Sequence, residues 1–96
     1  MAKKISASDL KAPKNDFVII DVREPDELAG GKIEDSINLP LGLMIRKVKH
    51  GEINNLKEKK ICTYCASGYR GNIAADELSK AGFTVVNLEG GFPSWQ

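Results

Sequence analysis

Short apolar runs with the length of a β-strand recur along the chain, separated by stretches with helical spacing. The run DFVIIDV at 16–22 is rich in β-branched residues and has no polar alternation, which is typical of a strand buried on both faces. The runs at 59–64 and 83–88 have the same character. A shorter run lies at 36–40, and 3–5 has the length of an edge strand. The pattern therefore predicts five strands.

Four segments between these runs have features of helices, namely 6–12, 25–31, 41–51 and 70–82. In 41–51 the apolar residues recur at i, i+3, i+4 and i+7, which places them on one helical face. The segment 25–31 has a proline near its start, acids in its first turn and glycines at its end. Strands that alternate with helices through short connections form right-handed βαβ units. We therefore predict an α/β fold with a mainly parallel sheet and helices on both faces.

Composition and charge narrow the possible classes of protein. A chain of 96 residues without an internal linker predicts a single domain, 1–96. The net charge of +1 gives no reason to expect a nucleic-acid partner or an anionic membrane surface. No apolar run approaches the roughly 20 residues of a membrane span. The start MAKKISASDL has no apolar stretch behind its lysines, so we expect no signal peptide and a cytoplasmic location.

The stretch ICTYCASGYRGN at 61–72 holds both cysteines of the chain. Two cysteines are too few for a disulfide framework or for a structural zinc site, so we predict no metal and no other cofactor. Cys62 lies within an apolar strand and is interpreted as a buried packing residue. Strand residues three apart point to opposite faces, which disfavours a disulfide with Cys65 unless the chain bends there.

Cys65 directly follows a predicted strand, where parallel sheets bind their ligands. Backbone N–H groups in the turn behind it, together with the start of the next helix, favour a thiolate at this position. Arg70 adds a permanent cation, either for an anionic group of a substrate or as a brace for the loop. The candidate anion-binding loop consists of Ala66, Ser67, Gly68, Tyr69 and Arg70.

Two further residues are candidates for supporting the site. Asp21 ends another predicted parallel strand and should lie at the same edge of the sheet. It could bond to the Cys65 loop, pair with an arginine, or cap the surface. We expect Arg23 to form an ion pair with Glu24 or to brace a loop.

Four segments together resemble the single-domain rhodanese-like (sulfurtransferase) family over nearly the whole chain. They are IIDVREPDEL at 19–28, GKIEDSINLP at 31–40, CASGYR at 65–70 and LEGGFPSW at 88–95. Their common order makes the resemblance specific, although none of them alone would. The resemblance implies a five-stranded parallel sheet with a cysteine at the bottom of an anion-binding loop. A short C-terminal helix seen in relatives is expected to be absent, because the chain ends directly after Trp95.

The resemblance also implies a reaction. The Cys65 thiolate takes the outer sulfur of thiosulfate, a polysulfide or a persulfide, and passes it as a cysteine persulfide to cyanide, a thiol or a partner protein. Related phosphatases have five residues between cysteine and arginine, so the four residues here favour sulfur transfer over phosphoryl transfer. Many active members carry a basic residue directly after the cysteine, where this chain has Ala66. An anionic donor therefore loses one cation at this position, which counts against efficient turnover of thiosulfate.

Two other functions remain open. A rhodanese fold can act as a non-catalytic binding or regulatory module, although the presence of Cys65 speaks against this. A dithiol redox protein that uses Cys62 and Cys65 is the other alternative.

Overall fold

The structure, a computed structural model, describes residues 3–12 and 16–96 and contains one parallel sheet. The strands are β1 (Lys3–Ile5), β2 (Phe17–Asp21), β3 (Ile37–Asn38), β4 (Lys60–Tyr64) and β5 (Thr84–Leu88). Within the described residues they lie in the order β1-β5-β4-β2-β3, and every strand pairing is parallel. The predicted α/β fold and its five strands are confirmed.

Helices cover both faces of this sheet, as predicted. The α-helices are α1 (Ala7–Leu10), α2 (Leu41–Lys49), α3 (Tyr69–Lys80) and α4 (Phe92–Trp95). The core on one face includes side chains of α2 and α3, whereas α1 and α4 pack on the other face. None of the helices in the described ranges is long and apolar enough to cross a membrane.

Three helical segments differ from the sequence-based expectation. The segment predicted as a helix at 25–31 is a 3₁₀ helix, Pro25–Gly30. Its backbone bonds run from the N–H of Glu27 to the oxygen of Glu24 and from the N–H of Gly31 to the oxygen of Leu28, the i→i+3 spacing of a 3₁₀ helix. A second 3₁₀ helix, Asn54–Glu58, was not predicted because it has no apolar periodicity. The expectation that a C-terminal helix is absent was wrong, since α4 forms one turn there.

The register of the strands places several polar side chains at one edge of the sheet. Asp21 at the end of β2 is paired with Tyr64 at the end of β4, and Thr63 is paired with Asn87 of β5. The carboxyl ends of parallel strands meet at the same edge, where such sheets bind ligands. Cys65 is the next residue after β4 and therefore lies at this edge.

Candidate active site

The loop behind β4 closes around the sulfur of Cys65. The residue is fully buried, with 0% of its surface exposed. Its Sγ accepts hydrogen bonds from the backbone N–H of Gly68 at 3.0 Å and of Gly71 at 3.2 Å. These donors, together with the start of α3, surround the sulfur with partial positive charge. The arrangement can stabilise an anion on this sulfur.

The outer side of the loop is open to solvent. Ala66, Ser67 and Tyr69 are exposed, and 74% of the surface of Tyr69 is accessible. Gly68 has a φ of +100°, a left-handed conformation that ordinary side chains rarely adopt, and it caps the start of α3. The loop thus presents its backbone to the sulfur and its side chains to the exterior.

The guanidinium of Arg70 is hydrogen-bonded to a carboxylate. Its two terminal nitrogens donate to the two carboxylate oxygens of Glu27, each at 2.7 Å. Both side chains are about one-third exposed, at 32% each. The hydrogen bonds from Arg70 lower the pKa of Glu27 to about 2, and those to Glu27 raise the pKa of Arg70. Arg70 therefore ties the first turn of α3 to the 3₁₀ helix Pro25–Gly30.

Asp21 and Arg23 form a buried ion pair with a distance of 2.7 Å between Arg23 Nη2 and Asp21 Oδ2. Burial alone would raise the pKa of Asp21, but the hydrogen bonds from Arg23 more than offset this and lower it. Arg23 also donates to the backbone oxygens of Glu27 and Gly31. Arg23 was predicted either to pair with Glu24 or to brace a loop; its guanidinium is paired with Asp21 instead of Glu24, and its bonds to the backbone agree with the second alternative. The pair braces the segment 23–31.

Sequence reasoning missed Asn87, which fastens the loop from β5. Its Nδ2 donates to the backbone oxygen of Gly68 at 3.1 Å, and its Oδ1 accepts from the hydroxyl of Thr63 at 3.2 Å. The side chain is nearly inaccessible, with 2% exposed. A polar residue within the apolar run FTVVNL, close to the carboxyl end of a strand, was a usable signal.

The segment after β5 crosses directly over the loop. The N–H of Phe92 donates to the carbonyl oxygen of Cys65 at 2.8 Å. A Cβ on Gly91 would lie 2.6 Å from that same oxygen, and Gly91 has a φ of +69°. A glycine is therefore required here by both the close approach and the backbone conformation.

Cys62 lies on the opposite side of the sheet from Cys65. It belongs to the core that α1 and α4 cover, whereas Cys65 belongs to the core under α2 and α3. Both cysteines are free thiols. Burial raises the pKa of Cys62 to about 12. The interpretation of Cys62 as a buried packing residue is confirmed, and the geometry gives no support to a Cys62–Cys65 dithiol.

A polar cavity of about 250 Å³ lies against the outer side of the loop. Its walls include Ser67, Gly68 and Tyr69 from the loop region, with Lys4 from β1 and Glu89 from the turn after β5. Within the described ranges, no three His, Cys, Asp or Glu side chains lie close enough together to hold a metal ion. The site therefore consists of a sulfur, backbone donors and two arginine–carboxylate pairs.

The chain belongs to the rhodanese-like family. A family model described as "Rhodanese-like domain" matches residues 6–96. The crystal structure of a rhodanese-related protein from Thermoplasma volcanium has a TM-score of 0.81 and 36% sequence identity, and the match covers 97% of this chain and 89% of that one. The predicted family is thereby confirmed from both the sequence and the fold.

Two relatives illustrate what is known of similar proteins. A protein of Allochromatium vinosum named sulfurtransferase is 35% identical over 91 residues, which cover 94% of this chain and 81% of the relative. YqhL of Bacillus subtilis, an uncharacterised protein, is 36% identical over 94 residues, or 97% of this chain and 71% of the relative. A protein named as a sulfurtransferase therefore occurs among the relatives at this level of identity.

Proposed function

We propose that this chain is a sulfurtransferase that carries a sulfane sulfur as a persulfide on Cys65. The observation that carries the proposal is the pair of backbone N–H groups directed at the Cys65 sulfur from Gly68 and Gly71. Such donors stabilise a thiolate before the reaction and a persulfide anion after it. The similarity to a named sulfurtransferase supports the same activity.

The proposed reaction has two steps of covalent catalysis. The Cys65 thiolate attacks the outer sulfur of the donor and forms a new S–S bond, while the donor's own bond to that sulfur breaks. The departing group is sulfite from thiosulfate, or a thiol that keeps the donor's proton from an organic persulfide. A thiolate or cyanide then attacks the outer sulfur of the Cys65 persulfide, takes it, and returns the Cys65 thiolate.

Loading requires the loop to open, because no surface of Cys65 is exposed in the closed arrangement. The exposed outer residues Ala66, Ser67 and Tyr69 form the part of the loop that a donor meets first. A polar donor thus reaches the sulfur from the solvent side, past the end of β4.

Intact mass spectrometry tests the proposal. The protein is incubated separately with thiosulfate and with glutathione persulfide, beside the variants Cys65→Ser and Cys62→Ser. We expect a gain of one sulfur atom on the wild type and on Cys62→Ser, its absence on Cys65→Ser, and its removal by cyanide. The proposal fails if no donor adds sulfur to folded protein whose Cys65 can still be alkylated.

That failure would favour the second candidate, a non-catalytic binding module. The complete burial of Cys65, beside the exposed ring of Tyr69, is the observation that favours this candidate. In a module of this kind the loop would serve as a contact surface, and the sulfur would be a structural acceptor for the two N–H groups.

A further inference from the structure

Each arginine near the loop is already paired with a carboxylate. Arg70 makes two short bonds to Glu27, and Arg23 is held by the buried Asp21. Ala66, directly after the cysteine, supplies no charge. Lys4 lines the cavity outside the loop, and so does the carboxylate-bearing Glu89. The hydrogen bonds that the Cys65 sulfur accepts come from the backbone N–H groups of Gly68 and Gly71.

Hydrogen bonds from two other residues hold the carboxylate of Glu27 in place. Its Oε2 accepts the backbone N–H of Glu24 at 2.7 Å, in a capping box at the start of the 3₁₀ helix. Both of its oxygens also receive Arg70. A bidentate arginine–carboxylate pair of this geometry is among the strongest polar contacts in proteins. Glu27 stays ionised at neutral pH, since its pKa is lowered to about 2.

We infer that Glu27 determines the donor: by holding the charge of Arg70, it makes the site selective for organic persulfides over thiosulfate. This inference rests on the proposed sulfur transfer at Cys65 and names its substrate class. Arg70 is a permanent cation within five residues of the sulfur along the chain, and it would be the natural partner for an anionic donor.

The charges of the two donors explain the selectivity. Thiosulfate is a dianion whose sulfonate oxygens are already negative when it binds, and they stay negative while the thiolate attacks and sulfite departs. Stabilising that charge requires a cation within contact distance. An organic persulfide in its protonated form brings no charge to the reacting sulfur and releases a neutral thiol. The N–H groups of Gly68 and Gly71 are sufficient for the single charge that remains.

Glu27→Gln tests the inference with little risk to the fold. Glutamine has the same size and keeps a carbonyl oxygen for the N–H of Glu24, but it lacks the charge that holds Arg70. Thiosulfate is compared with the persulfide of N-acetylcysteine methyl ester, whose carbon skeleton is uncharged. We expect the KM for thiosulfate to fall about tenfold, the lower end for a hydrogen bond to a charged group, with little change in kcat. The KM for the persulfide, expressed as the concentration of its protonated form, should change by less than about twofold, because that form brings no charge to the freed Arg70.

Asp26→Asn is the matched control. Asp26 is exposed in the same 3₁₀ helix, so the variant removes an equal charge but leaves Glu27 on Arg70. We expect less than about a twofold change in either KM, because exposed charges are screened by solvent. In Glu27→Gln combined with Arg70→Gln, the gain with thiosulfate should disappear.

Several results would overturn the inference. In the wild type, kcat/KM with the persulfide should exceed that with thiosulfate at least about tenfold, and equal use would refute the selectivity without any variant. Parallel changes with both donors in Glu27→Gln would mean that Glu27 is merely structural. If the KM for thiosulfate stays lowered when Glu27→Gln is combined with Arg70→Gln, Arg70 is not the cation that binds the donor, and the mechanism is excluded. Failure of both donors to load Cys65 would instead remove the proposed function itself.

Discussion

Two cysteines three positions apart in this chain occupy opposite chemical environments. The sulfur of Cys65 accepts two backbone N–H groups at the edge of the sheet. Cys62 packs among apolar side chains on the other face. The difference arises because Cys62 lies within β4, whereas Cys65 lies just beyond the end of that strand. The surroundings of each sulfur thus depend on backbone placement rather than on residue type.

Alkylation of the native protein should distinguish the two thiols. Burial raises the pKa of Cys62 to about 12, so that its thiol stays protonated and unreactive at pH 8. We expect iodoacetamide to label Cys65 alone in the folded protein and both cysteines in denaturant, as read by peptide mass mapping. A label on Cys62 in the native state would contradict this assignment.

The buried pair of Asp21 and Arg23 makes Asp21→Asn costly. The variant leaves the guanidinium of Arg23, which is 4% exposed, without its counter-charge. We expect the free energy of unfolding to fall by about 3–5 kcal/mol, as measured by urea denaturation. The exposed Asp26→Asn should change it by less than about 0.5 kcal/mol. Similar values for the two variants would show that the pair contributes little.

At the scale of the elements, the sequence predicted the sheet better than the connections. The β-branched runs around β2, β4 and β5 have no helical periodicity, so their interpretation was secure. The segment 25–31 has helix-like ends, but its contacts with Arg23 and Arg70 hold it as a 3₁₀ helix. The pattern of residues within 25–31 carries no information about contacts with side chains outside that segment.

The candidate site, like the fold, was predicted only in part from the sequence. The loop from Cys65 to Arg70 is contiguous, and its chemistry could be read from the residues themselves. The partner of Arg70 is Glu27, 43 positions away, and Asn87 reaches Gly68 across 19 positions. Such pairings depend on which strands are neighbours in the sheet. They could be found only once the strand order was known.

Gly71 allows helix α3 to approach the sheet closely. A Cβ at this position would overlap Asn87 Oδ1 and would lie 3.2 Å from the Cα of Tyr64. Because Asn87 is fixed by its own hydrogen bonds, we expect Gly71→Ser to destabilise the fold by about 1–3 kcal/mol in urea denaturation.

The variant Asn87→Ala tests whether overlap with Asn87 causes the loss of stability in Gly71→Ser. Removing the amide makes room for the new side chain, so Gly71→Ser should cost less in the Asn87→Ala background than alone. Strict additivity of the two free energies would show that the contact with Asn87 is not the source of the strain.

At the scale of the whole molecule, three distant parts of the chain meet around one sulfur. They are the segment 21–31, the loop with the first turn of α3, and the segment 87–92. Each is joined to the next by polar contacts between residues far apart in sequence. The site can therefore be complete only when β2, β4 and β5, which carry these segments, lie side by side.

Protonation of Glu27 in acid should destabilise the folded protein. Its pKa in the folded protein is about 2, against an ordinary value of 4.5. A lowered pKa contributes stability that is complete above pH 4.5 and is lost as the pH falls towards 2. The stability difference between wild type and Glu27→Gln should shrink over that interval, as followed by thermal unfolding. A difference that is independent of pH would contradict the role of this carboxylate.

The position of the two thiols on opposite faces of the sheet also governs how long a stored sulfur lasts. In the proposed carrier, no second thiol of the same molecule can reach the persulfide, so the chain cannot discharge itself by closing a disulfide. Discharge is then a bimolecular event, first order in whatever acceptor is present. The lifetime of the loaded form becomes a measure of acceptor concentration, and a cell short of acceptors would accumulate charged carrier.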